Sequence, residues 1–242
     1  LRDFVDIAAR VMSASEQRLE HVATNVSNSS TPGFKRQGVF QIAAADIQTA
    51  VLPEARAGAG LAMQLRTNFS TGSLKPTGNP LDLAIDGAGF FSLMASDGVR
   101  LTRGGQFQRQ EDGTVVSAQG HALQDASGGD LVVGVPDPVF LPDGTVLENG
   151  LPTGRVALVT VDETASLGIT SGSLFVPQSG EDVAPMSGGV IRQGMLEGSN
   201  VAMPAEMLEM MEAVRQAETG ARLIQLYDTL MGRAISTFGQ RT

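Results

Sequence analysis

The chain has 242 residues and no cysteine, so disulfides, thiolate metal sites and cysteine nucleophiles are excluded and one or two domains are expected. Its formal net charge of −9 sits in the middle, where residues 76–185 hold 14 acidic and 4 basic side chains, and this argues against nucleic acid as a partner. No stretch approaches the roughly 18 apolar residues of a membrane-spanning helix, and Asp3, Asp6 and Arg10 interrupt the N-terminal apolar positions, so neither direct membrane insertion nor a general-secretion signal is expected.

From the N-terminus, Phe4, Ile7, Val11, Ala14, Leu19, Val22 and Val26 recur mostly at steps of three and four, which predicts an amphipathic helix. Asn25, Asn28, Ser29 and Ser30 then offer side chains that compete for backbone hydrogen bonds, and Thr31 is pushed out of the helical region by Pro32. The helix should end near Ser27 to Ser29. Between about residues 35 and 80 the pattern is mixed, with Ala55 to Gly60 read as a flexible Ala/Gly loop and Leu65 to Leu74 as extended chain. Short strands are predicted at Phe90 to Ala95, Val99 to Arg103, Thr114 to Ala118 and Arg155 to Val161, with Asp97-Gly98, Asp112-Gly113 and Asp143-Gly144 as turns.

The C-terminal region returns to helical spacing. Met207, Met210, Val214, Ala217, Ala221, Ile224, Asp228, Met231, Ile235 and Phe238 alternate steps of three and four, and Pro204 suits a first turn. A helix from about 204 to 238 is too long to bury its own apolar stripe. The fold class expected is therefore α+β. Long terminal helices pair as a coiled-coil-like unit (1–30 and 204–242), connecting segments follow (31–80 and 186–203), and a central antiparallel β module, a sandwich or small barrel, lies at 81–185.

Motifs for chemistry are missing: there is no phosphate loop and no nucleophile elbow, and His21 and His121 lie far apart. No catalytic residue, metal or cofactor is expected.

The exit from the first helix, NVSNSSTPGFKRQ, resembles the N-terminal signature of flagellar rod and hook proteins, where an Asn-rich helix end leads to Thr, a turn, Gly-Phe and a basic residue. Further stretches similar to that family follow in order: NFSTGSLKPTGNPLDLAIDGAGFFSL, RLTRGGQFQRQEDGTVVSAQGHALQ and IRQGMLEGSNVAMPAEMLEMMEAVRQAE. Within the family, Leu196 to Val201 is nearer the proximal-rod pattern, and Val214 to Glu218 departs from the distal-rod one, which is the alternative.

The resemblance implies a structural subunit of the flagellar basal-body rod in the periplasm, not an enzyme. Implied partners are copies of itself, neighbouring proximal and distal rod subunits and the flagellar type III export apparatus, with ring proteins as further candidates. The apolar positions of both helices become an assembly interface, joined by Asn25, Asn28, Leu196 and Asn200. Phe34 would be an apolar anchor, and Lys35 and Arg36 would be available to neighbouring subunits. A rival reading, an enzymatic or carbohydrate-binding β module, predicts a concave site with converging polar groups. A coiled-coil adaptor would need a basic helical face that the termini lack.

Overall fold

A computed structural model describes residues 2–42, 62–161, 167–177, 183–186 and 188–239, so the Ala55 to Gly60 segment lies outside the described residues. Two α-helices flank many antiparallel strands, an α+β chain. Contacts divide it into two compact units: residues 1–27, 37–66 and 202–242 form one, and residues 28–36 and 67–201 the other.

In the first unit, helix α1 spans Arg2–Ser27 and helix α2 spans Met203–Gly239, so both follow the predicted periodicity to within a residue or two at the described ends. Strands Gln37–Ile42 and Ala62–Thr67 pair with each other. The helices pack together and run antiparallel. Asn25, near the end of α1, reaches Glu206 at the start of α2; Arg18 reaches Gln216; and Gly220 lies against Ala8 and Met12. Gly220 sets the spacing at its level, because a Cβ there would lie 3.0 Å from Met12 Cγ. At 1.5 Å per residue α2 is about 55 Å long. Its register with α1 places the stretch beyond Tyr227 past the described start of α1. Among the described residues, no helix is long and apolar enough to cross a membrane.

The second unit is built on one large sheet whose main path runs Leu167–Ser171, Leu174–Pro177, Gly98–Thr102, Phe90–Ala95, Ala122–Leu123, Val115–Ser117, Phe107–Arg109. Strand Leu158–Val161 pairs both with Phe90–Ala95 and with Val183–Pro185. The three strands read at 90–95, 99–103 and 114–118 are therefore present to within a residue. The single strand read at Arg155 to Val161 is in fact two. Leu151–Arg155 closes a separate three-stranded sheet with Val139–Phe140 and Thr145–Glu148. The chain changes sheet at Val156 and Ala157, whose N–H groups bond to Gly144 and Gln124.

The central strand Phe90–Ala95 explains why its sequence is almost continuously apolar. Phe91 and Leu93 enter one buried cluster with Phe107, Leu123, Phe140 and Val146, while Phe90 enters a second with Leu101, Val159 and Phe175. A strand covered on both faces loses the polar alternation of a half-exposed one. Phe69, Phe90 and Phe175 meet edge to face at centroid distances of 5.3 to 5.7 Å. Two short pairs complete the unit: Val190–Gln193 with Leu83–Asp86, and Met195–Glu197 with Leu74–Pro76.

Candidate assembly surfaces and the clasp at the helix exit

The exit from α1 is a set of nested local bonds. Thr31 N–H donates to the Asn28 carbonyl (3.0 Å), and Thr31 Oγ1 lies 3.2 Å from Asn28 Oδ1. Phe34 N–H donates back to the Thr31 carbonyl across Pro32-Gly33, where Gly33 takes φ = +70°, as a proline-glycine turn of type II requires. Glycine is needed twice over at position 33. A Cβ there would sit 2.1 Å from the Gly104 nitrogen, so the turn can press its backbone onto Arg103 and Gly104.

Residues 196–200 grip this turn. Gly33 N–H donates to the Glu197 carbonyl at 2.8 Å, and Lys35 Nζ donates to the Glu197 carboxylate and to the Ser70 carbonyl. The same carboxylate accepts from Arg103 at 3.1 Å and from Gly72 N–H at 2.8 Å. Arg103 also reaches the Ile85 and Gly87 carbonyls and lies 5.4 Å from the Phe90 ring centre. Its Nε is buried with no hydrogen-bond partner among the described residues. Lys35, Arg103 and Glu197 are all at most 4% exposed, so two cations share one carboxylate away from water. Burial lowers the pKa of Lys35 below its ordinary value, against the opposing pull of Glu197. Asn200 completes the grip, accepting from Arg36 N–H at 2.7 Å and donating to the Asn68 and Ser70 carbonyls.

Lys35 therefore differs from the sequence reading. Its ammonium is not available to neighbouring subunits, because this chain's own Glu197 encloses it. Phe34 is buried as an apolar anchor should be, and Leu196 is buried beside the clasp. Asn25 is buried as well. Its side chain pairs with both backbone groups of Gln37, accepting from N–H (2.9 Å) and donating to the carbonyl (2.7 Å), and it donates to Glu206 at 3.0 Å.

The helical stripes divide between two surroundings. On α1, Val22 is buried and Leu19 and Val26 are half-buried, whereas Ile7 and Val11 are 59% and 38% exposed; Phe4 lies in α1, its side chain outside the described residues. On α2 the covered positions include Glu206, Met210, Ala213, Ala217, Gly220, Ile224 and Tyr227, with Leu223 half-buried beside them. This face shares Met210, Ala217 and Ile224 with the predicted stripe but is centred about one residue around the helix. Ala221 is half-buried at its edge, Met231 is exposed, and the side chains of Ile235 and Phe238 lie outside the described residues. Met207, Met211 and Val214 are 55%, 52% and 41% exposed.

At about 100° per residue, Ile7 and Val11 fall on the flank of α1 that carries Arg18, which meets Gln216. Met207, Met211 and Val214 fall on the flank of α2 turned away from Gln216. The helix pair thus bears two different apolar patches on opposite sides.

A groove of about 190 Å³ beside the helix pair is lined by Arg18, Glu209, Glu212 and Ala213, below the volume usual for a small-molecule pocket. No cluster of three or more metal-ligating side chains occurs among the described residues.

Comparison with known proteins places these features. The model of the flagellar hook protein FlgE/F/G D1 domain matches residues 84–172, and that of the flagellar basal body rod FlgEFG protein C-terminal region matches residues 192–237. The chain is 30% identical to the flagellar basal-body rod protein FlgF of Mesorhizobium japonicum over the full length of both. It is 29% identical to the FlgF of Caulobacter vibrioides over 93% of each chain. The flagellar basal-body rod protein FlgG of Agrobacterium fabrum is 30% identical over 93% of this chain and 95% of its own. The chain accordingly belongs to the FlgE/F/G family of flagellar hook and basal-body rod proteins, which are structural subunits and not enzymes.

Proposed function

We propose that the chain builds the proximal part of the flagellar rod, and that the two apolar patches of its helix pair are where neighbouring copies and other rod subunits complete its burial. The observation that carries this reading is the exposure of Ile7 and Val11 on one flank and of Met207, Met211 and Val214 on the other. Each patch is small, but together they make a head and a tail. Unlike surfaces that meet between copies generate an open helical array when the rotation between copies does not close a ring, whereas one self-complementary patch would close a dimer. Relatives named FlgF that match over 93 to 100% of this chain support a proximal position.

The finer architecture follows the same reading. The antiparallel helices act as a coiled-coil-like tube element, extended by the stretch of α2 beyond Tyr227. The segments 31–80 and 186–203 act as an intermediate layer fastened at Glu197 and Asn200. The β module, a sandwich with clusters on both faces of Phe90–Ala95, lies outermost with its acidic surface toward solvent or ring proteins. Delivery through the flagellar type III export apparatus fits a helical wall assembled from subunits added one by one.

Val214→Asp and Met94→Asp form the test, because both side chains are 41% exposed but lie in different units. Both purified variants should melt as the parent does. In cells lacking the native copy, Val214→Asp should abolish rod incorporation and Met94→Asp should retain it. Normal incorporation of Val214→Asp, with Ile7→Asp also tolerated, would end the proposal.

A further inference from the structure

The clasp is closed by contacts far apart in the chain. Lys35 lies 162 positions before Glu197 in the chain and Arg103 lies 94 before it, so both contacts with their shared carboxylate are long-range. Glu197 is the only carboxylate paired with either of them among the described ion pairs. Its strand, Met195–Glu197, is three residues long and pairs only with Leu74–Pro76, itself equally short. The two long clusters of the β module do not include Leu196 or any residue of 31–36. Apolar burial thus holds the module together and extends to Phe69, which packs on Phe90 and Phe175, and Phe34 is buried as well; Lys35, the backbone of the exit turn and residues 70–72 are fastened by charge and hydrogen bonds from residues 197–200. Two buried cations without a counterion repel each other and are costly to desolvate, so the turn has little reason to close alone.

We propose that residues 195–200 are a strap, and that seating it through Glu197 is what orders residues 31–36 and 70–72. Before the strap arrives, the β module folds on its own apolar clusters while the exit turn stays open with Lys35 in water. After it seats, Gly33 N–H, Lys35 and Arg36 N–H are all satisfied by Glu197 and Asn200, and the exit acquires its fixed path. The closing contacts span most of the chain, so they belong to the least local and latest-forming class. The excess positive charge is part of the device: it penalises partial closure in which the turn packs but the carboxylate is absent.

The full-length chain tests this with Glu197→Gln, read by trypsin cleavage after Arg36 and by hydrogen exchange of separate segments. Cleavage after Arg36 should accelerate at least about tenfold, with exchange rising in 31–36 and 70–72 while 90–123 stays within about twofold of the parent. The double variant Lys35→Met/Glu197→Gln removes one stranded cation and should recover most of the protection at Arg36. If cleavage is unchanged in Glu197→Gln, or exchange rises equally in 90–123, or the double variant opens as fully as the single one, the strap is overturned. Should Glu197→Gln not fold, Asn200→Ala removes the second hold of the strap and should show the same local opening to a smaller degree; opening spread through 90–123 would again refute it.

Discussion

The helix pair and the clasp treat their side chains in opposite ways. Around Glu197, charged and polar groups are drawn inside and almost every hydrogen-bonding atom is answered within the chain. On α1 and α2, apolar side chains of the size usually hidden are left in water. A buried polar network is worth its desolvation only when complete, so the clasp fixes one geometry for residues 31–36. Exposed apolar surface at ordered positions is the reverse, an energy not yet collected, and it marks where another molecule belongs. On the reading proposed above, one region of the molecule is finished by folding and the other by assembly.

That contrast fails or sharpens according to four substitutions. The largest effect is expected at Phe91, fully buried and 5.3 Å from Phe107 ring to ring. Phe91→Ala should destabilise the β unit by about 3–5 kcal/mol, seen as an earlier calorimetric transition; a loss below that of an exposed substitution would mean this core is loosely packed.

Asn25→Ala should cost less, about 1–3 kcal/mol, by stranding the Gln37 backbone groups and Glu206. The chain has a single tyrosine and no tryptophan, so emission from Tyr227 on α2 reports this loss directly. An unchanged transition there would show that the polar contact contributes nothing to the helix pair.

A smaller effect, dependent on pH, is expected at Lys35. Burial depresses its folded pKa below 10.5, so the unfolded chain holds this proton more tightly than the folded one. The cost of the charged ammonium is fully present below the folded value and is relieved as pH rises from there toward 10.5. Relative to Lys35→Met, the parent should therefore gain stability as pH is raised from neutral toward about 10; a relative loss over that range would mean that the Glu197 carboxylate outweighs the combined effect of desolvation and the Arg103 charge. The smallest effect is at Val214, where Asp should change monomer stability by no more than about 0.5 kcal/mol; a large loss would place Val214 in the folded core and remove it from the exposed patch.

The features visible in the sequence were those with local causes. The end of α1 at Ser27 follows from the Asn and Ser side chains and from Pro32, and the strand ends follow from Asp-Gly turns such as Asp97-Gly98. The class of the fold followed from where 3.6-residue and two-residue periods alternate. The clasp was hidden because Lys35 and Glu197 share no local pattern, and an exposed cation is the ordinary state of a lysine after a turn. The faint signal was the Pro32-Gly33 pair just before Lys35, which marks a tight turn. The face of α2 that packs on α1 lies about one residue around from the stripe read as an assembly seam, for a related reason. Periodicity favours bulky side chains such as Met207 and Val214, but the closest approach of two helices selects Ala213 and Gly220, whose small size carries little apolar signal.

Because the chain has no cysteine, one substitution gives the most direct test of completion by assembly. Val214→Cys and, as control, Asp97→Cys at an exposed turn of the β unit would be labelled with a maleimide in the purified subunit and again in isolated basal bodies. The account predicts that both label readily in the subunit and that Cys at 214 becomes at least about tenfold slower in the assembled rod, the protection expected of a packed interface. Equal labelling of position 214 in subunit and rod would contradict it, because the exposed apolar flank of α2 would then face water in the finished structure too.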